Sequence, residues 1–268
     1  MSDTLQAGVW GVLATPFKGS TLDVDDVGVA RLCEHLEASG VAGVTALGVF
    51  GEGSRLSTED RTIVLDTVVE STSLPIVVGC SGLATAPVIE EAKAAVDVVG
   101  DRLAAVMVLA NSSSLRVLQD HLGAVHEASG ASVVVQDYPA VSGVEVPEDV
   151  LAALAEAPYV VAVKAERAPA AVAVAAVAGR TDTPVFGGLG GRLDQEAQNL
   201  NALFTWSDRF EHMCILTEDC VTALLPRGTS TVEVCVPYEG RAIGLLPVGG
   251  PVASLTTSGL RWDVTAWR

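Results

Sequence analysis

The feature that most limits what this chain can become is a rhythm. Short, continuous apolar runs alternate with stretches of helical spacing from the start to about Gly191. The apolar runs are Gly8–Thr15, Gly43–Val49, Pro75–Cys80, Leu103–Leu109, Ser132–Asp137, Tyr159–Lys164 and Thr183–Gly187. Between them, Val29, Leu32, Cys33 and Leu36 fall on one helical face, as do Leu65, Val68 and Val69. The same holds for Leu115, Leu118, Leu122 and Val125. Asp23 and Ser57 are expected as helix N-caps, Pro147 in the first turn of a helix, and Ala84–Val99 and Pro169–Gly179 as further helices.

Strands that read as unbroken apolar runs are those buried on both faces, as parallel strands are. Alternating βα units of about 25–30 residues fit either a closed barrel or an open doubly wound sheet. No GxGxxG follows the first run, which removes the usual dinucleotide-binding form of the open sheet. The expected fold is therefore an α/β (β/α)8 TIM barrel, for which 268 residues is an ordinary length.

After about residue 191 the rhythm fails. Asp194–Trp206 has helical spacing, but no clean eighth unit follows, and Gly/Pro-rich stretches such as Leu245–Val252 replace the Ala/Val helices. The expected division is a barrel core over 1–191 and a divergent part over 192–268, which either completes the barrel or is irregular. A divergent end, an added subdomain and a shifted reading frame all fit such a change.

Charge removes some partners. A formal net charge of −17, with no basic run, repels nucleic acid and anionic membranes. The start of the chain lacks the basic and apolar regions of a signal peptide, and no apolar run reaches the length of a membrane span. Five cysteines without CxxC spacing indicate neither a disulfide framework nor a zinc site. The expectation is a soluble cytoplasmic protein with reduced thiols and no bound metal.

Lysine is rare: Lys18, Lys93 and Lys164 are the whole set. Lys164 alone ends an apolar run. At the carboxyl end of a barrel strand it would sit on the active-site face, partly desolvated, where a neutral amine can attack a ketone and form an imine. Snorkelling to water is the plainer role. Glu166, two residues on, shares its face in extended backbone and can orient the amine or move protons. Gln136, Asp137 and Tyr138 close the fifth run, and Asp137 and Tyr138 are candidate proton carriers, although a loop tyrosine that packs on its neighbours is the plainer role for Tyr138.

Two glycine clusters follow strands. Gly48-Val49-Phe50-Gly51-Glu52-Gly53 would let backbone N–H groups approach a carboxylate, or form only a tight turn. Gly187-Gly188-Leu189-Gly190-Gly191 follows the seventh run, where barrels often bind phosphate.

In this order, Thr15-Pro16, Gly48–Glu52, Leu56-Ser57-Thr58-Glu59-Asp60-Arg61, Pro75–Gly79, Gln136–Pro139 and Val163-Lys164 resemble the dihydrodipicolinate synthase/N-acetylneuraminate lyase family over roughly the first 190 residues. The resemblance implies a class I lyase, an aldolase or dehydratase, acting on pyruvate or another small 2-oxo acid. It makes Lys164 the imine-forming residue; Gly48, Val49, Phe50 and Gln136, with Gly187 and Gly188 of the second glycine cluster, are the substrate-binding candidates. It also implies a homotetramer or homodimer without metal or organic cofactor. The chain departs from the pattern in three places. Val49 and Phe50 stand where hydroxylated residues are common, Gln136 stands at the catalytic tyrosine, and Ala110–Ser113 lacks a second tyrosine. Because an amide cannot shuttle protons near neutral pH, dihydrodipicolinate synthase activity itself is not expected. Two other readings stay open: a catalytically silent barrel that binds a small acid or acts as a scaffold, and a phosphosugar-binding barrel enzyme.

Overall fold

The computed structural model describes residues 5–19, 21–166, 183–186, 193–205, 207, 213–216, 220–233, 242–247 and 251–267. The strands are β1 (Trp10–Val12), β2 (Phe17–Lys18), β3 (Asp23–Val24), β4 (Gly43–Ala46), β5 (Ile76–Cys80), β6 (Leu103–Leu109), β7 (Val133–Asp137), β8 (Val160–Ala165), β9 (Thr183–Phe186), β10 (Met213–Leu216) and β11 (Val221–Ala223). The helices are α1 (Asp26–Ala38), α2 (Thr58–Ser71), α3 (Thr85–Val99), α4 (Leu115–Ser129), α5 (Pro139–Ser142), α6 (Glu148–Ala155) and α7 (Leu193–Thr205).

Six strands form one parallel sheet in the order β1-β4-β5-β6-β7-β8. The strands follow chain order without reversal, so there is no switch point of the kind that marks a doubly wound sheet. The helices add a second argument. Val29 and Cys33 of α1, Val64 and Val68 of α2, Val88 and Ala92 of α3, Leu118 and Leu122 of α4, and Leu151 and Leu154 of α6 bury against the same side. The strand residues on that side are Val44, Ala46, Val78, Val106, Val108, Val133 and Val135. The opposite side gathers Val77, Ala105, Met107 and Val134, with Trp10, Val161 and Ala162 packed beside them and no helical residue among them. Helices on one face only are the arrangement of a barrel wall.

The sheet is a half-barrel. β9 corresponds to the expected seventh run, but it pairs in parallel with β10, which pairs antiparallel with β11, in a separate three-stranded sheet. The expectation that this run would extend the barrel next to β8 is thereby corrected. A strand joins whichever neighbour satisfies its ladder, and here that neighbour is β10. The cost appears in burial. β5 and β7 are buried at every residue, whereas β8, at the sheet edge, is half-buried along its length.

Local signals acted largely as read. Ser57 caps α2 in a full capping box, its Oγ accepting from Asp60 N at 3.1 Å while Asp60 Oδ2 accepts from Ser57 N at 3.2 Å. The cap of α1 is Asp25, which accepts from Gly28 N, and Asp23 lies instead in the β2–β3 hairpin. Pro147 is the N-cap of α6. Near the end of the chain, Leu255 bridges Trp267, and Asp263 accepts from Gly259 N, Leu260 N and Thr257 Oγ1 at 3.0–3.1 Å, so its carboxyl is held below the usual range. No described helix is long and apolar enough to cross a membrane.

Candidate functional site

The site is built at the carboxyl edge of the half-barrel, on the side free of helices. Alternation along a strand puts residues two apart on one face. In β8, Val163 and Ala165 pack with the helices, so Lys164 faces the other way with Ala162. In β7, Val135 faces the helices, and Gln136 follows Val134 onto the free face. Gln136 and Lys164 are register partners across the two strands.

Glu166 joins them. Its backbone N donates to Asp137 O at 2.9 Å, extending the ladder one residue past β8. Its Oε1 lies 3.0 Å from Lys164 Nζ and accepts from Gln136 Nε2 at 2.6 Å. Gln136 is buried, and the Lys164 and Glu166 side chains are 36% and 26% exposed, so the ion pair is sheltered yet reachable. One carboxylate therefore holds an amine and an amide together. The Tyr138 hydroxyl, by contrast, bonds to none of the three; Tyr138 is the N-cap residue of α5 and is half-buried.

The loop after β4 closes the other side of the edge. Gly48 is buried, and a Cβ there would sit 3.3 Å from Met107 Cε, which puts the loop over the free face of the sheet. Leu47 and Glu52 have left-handed backbone, with φ of 56° and 54°. Such conformations cost about 1–3 kcal/mol each and persist where their surroundings enforce them. Val49 and Phe50 are 39% and 67% exposed, available to a ligand or to solvent. Gly187 and Gly188, and the rest of that second cluster, lie outside the described residues.

Three residues without an assigned role in the sequence belong to this edge. The Thr15 hydroxyl donates to Gly51 O at 2.7 Å. Arg61 donates to Gly53 O and Gly79 O and pairs with Glu91, which accepts from Ser81 N at 2.6 Å. A signal for Arg61 was present: a cation in the first turn of a helix opposes the helix dipole and needs something else to hold it.

A cavity of about 530 Å³ lies at the other end of the sheet, lined by Leu5, Trp10, Pro75, Leu103, Ala104 and Ser132 among others, with no charged side chain. No group of three or more His, Cys, Asp or Glu that could hold a metal occurs among the described residues.

A parallel half-barrel with its helices on one face is an α/β fold of the TIM-barrel type. The chain belongs to the dihydrodipicolinate synthetase family, whose model matches residues 5–203. A 4-hydroxy-tetrahydrodipicolinate synthase of Methanothrix thermoacetophila is 33% identical over 157 residues, covering 59% of this chain and 53% of that protein. A crystal structure of the chloride-inhibited dihydrodipicolinate synthase from Acinetobacter baumannii, complexed with pyruvate, superposes with a TM-score of 0.57 at 27% identity, over 65% of this chain and 61% of that one. The chain thus spans little more than half the length of these relatives.

The end of the chain matches a second family. The thiamin pyrophosphokinase, vitamin B1 binding domain model covers residues 229–268. Thiamine pyrophosphokinase 1 of Arabidopsis thaliana is 42% identical over 80 residues, 30% of this chain and 29% of that protein. This second match falls within the stretch where the rhythm is lost.

Proposed function

We propose that the family portion of the chain is a Schiff-base lyase acting on pyruvate or another small 2-oxo acid, with Lys164 as the nucleophile. The observation that carries this reading is the 3.0 Å contact between Lys164 Nζ and Glu166 Oε1 on the helix-free face. Imine formation moves two protons from the lysine ammonium to the carbonyl oxygen, which departs as water. Glu166 is within reach of the first. The freed amine attacks C2 of the acid, the carbonyl electrons move to oxygen, and loss of water leaves an iminium. That cation is the electron sink for cleavage or formation of the neighbouring bond.

Gln136 stands in the family tyrosine's position. It cannot carry the proton, but by donating to Glu166 it fixes the carboxylate toward Lys164. In this reading Glu166 takes over the acid–base work, Tyr138 stays at the margin, and the Gly48–Phe50 segment receives the substrate carboxylate through backbone N–H groups. Gly187 and Gly188 would complete the substrate side, and the barrel portion would run over 1–191 with a distinct part over 192–268. The relatives that share this fold are synthases and aldolases by name, which supports a small 2-oxo acid as substrate. Assembly as a homodimer or homotetramer in the cytoplasm belongs to the same proposal. Borohydride reduction in the presence of pyruvate, followed by intact mass, tests it. A covalent adduct is expected, and an unmodified chain would favour the silent acid-binding barrel.

A second reading concerns the last 40 residues. Their match to a vitamin B1 binding domain, together with the exposed aromatic ring of Trp262, supports binding of a thiamine-like heteroaromatic by stacking. Quenching of tryptophan emission by thiamine, lost in Trp262→Ala, is the expected result. No quenching would remove this reading.

A further inference from the structure

We propose that Arg61 is the positioning residue of the candidate site, a clamp that fixes the Gly48–Gly53 loop against the carboxyl end of β5. The use of that loop as a carboxylate holder rests on the lyase reading above; the clamp itself does not.

The argument begins with crowding. A Cβ on Gly53 would lie 2.1 Å from Leu47 O, and one on Gly79 would lie 2.4 Å from the same oxygen. The end of β4, the end of its loop and the end of β5 therefore meet backbone to backbone, with no room for side chains between them. Such a junction needs its carbonyl groups satisfied from outside. Arg61 does this with one guanidinium. Nη1 donates to Gly53 O at 2.8 Å and Nη2 to Gly79 O at 3.2 Å, and Nη2 also lies 3.3 Å from Glu91 Oε2.

Glu91 extends the clamp. The same Oε2 accepts from Ser81 N at 2.6 Å, so α3 is tied to the residue that follows β5. The Arg61 and Glu91 side chains are 14% and 24% exposed, well sheltered for an ion pair. Thr15 holds the loop from its other side, through Gly51 O. The two left-handed residues, Leu47 and Glu52, thus lie between fixed points, which is the condition under which such backbone is retained. The planar fork of arginine reaches two carbonyls at once, and a lysine would reach only one.

The test measures amide exchange of the whole chain in peptides covering 47–56, 133–137 and 160–165, for wild type, Arg61→Gln, Arg61→Lys and Glu91→Gln. Arg61→Gln is expected to speed exchange about tenfold in 47–56 alone, with Arg61→Lys and Glu91→Gln in between. Unchanged exchange in 47–56, or equal acceleration in all three peptides, would overturn the clamp, the latter by making Arg61 a residue of the whole fold. Borohydride trapping is run in parallel over a pyruvate series. Arg61→Gln should raise the half-saturating pyruvate about tenfold and leave the trapped fraction at saturation unchanged, as expected when a binding element is displaced but the chemistry is kept. A lower trapped fraction with unchanged half-saturation would contradict a positioning role. If wild type is not trapped at all, the lyase reading fails, and the exchange data alone decide the clamp.

Discussion

Lys164 and Gln136 are register partners on adjacent strands, and both reach the same oxygen of Glu166. The pairing gives the edge of the half-barrel a single carboxylate with two donors. At position 136 an amide, which cannot move protons, donates to the carboxylate that also pairs with the lysine.

Glu166 is therefore the proton carrier to test. Glu166→Gln keeps the size and the hydrogen-bonding capacity but removes the base. The rate of imine trapping is expected to fall by about 10²–10⁴-fold, with the final trapped fraction approached slowly. Stopped-flow or quench sampling with pyruvate and borohydride measures it. Tyr138→Phe, by contrast, is expected to leave the rate within about twofold, since its hydroxyl bonds to neither Lys164 nor Glu166.

His121 sets an acid limit on stability. It is buried, its Nδ1 lies 2.9 Å from Thr85 Oγ1, and burial lowers its pKa below the ordinary 6.5. The unfolded chain then takes up this proton at a higher pH than the folded chain does. The contribution is fully present above pH 6.5 and is lost as pH falls below it toward the folded-state value. Urea midpoints at pH 7.5 and 5.5 should show the loss, and His121→Gln should show less of it.

Gly53 tolerates no side chain. Its added Cβ would overlap Leu47 O at 2.1 Å, so Gly53→Ala is expected to cost about 1–3 kcal/mol, read as a lower denaturant midpoint with an unchanged slope.

The thiols should separate by burial. Burial pushes Cys80 up to about 12 and Cys33 up to about 11, whereas Cys220 is exposed. Iodoacetamide at pH 8 on the native chain should label Cys220 and spare Cys33 and Cys80, with mass mapping to check it.

The sequence carried the wall of the barrel well, because hydrophobic periodicity is a local signal. Leu103–Leu109 appears as a strand with those same ends, and Ser57 caps its helix. Closure was not legible. Val185 and Phe186 form a strand as their apolar character predicts, but which neighbour a strand pairs with is decided by groups far away in the chain. The site divides in the same way. Lys164 and Glu166 could be matched by their spacing of two, whereas the bond from Gln136 crosses to another strand and the bonds from Arg61 end on backbone carbonyls, which leave no mark in a sequence. The change after residue 191 was visible as composition, and the match to a second family covers residues 229–268 of that stretch.

The most direct test of the lyase account is to locate the reduced adduct. With only Lys18, Lys93 and Lys164 available, peptide mapping after pyruvate and borohydride treatment distinguishes them without ambiguity. The account predicts modification of the peptide carrying Lys164 and none in Lys164→Arg. An adduct on Lys18 or Lys93, or one that persists in Lys164→Arg, would contradict it.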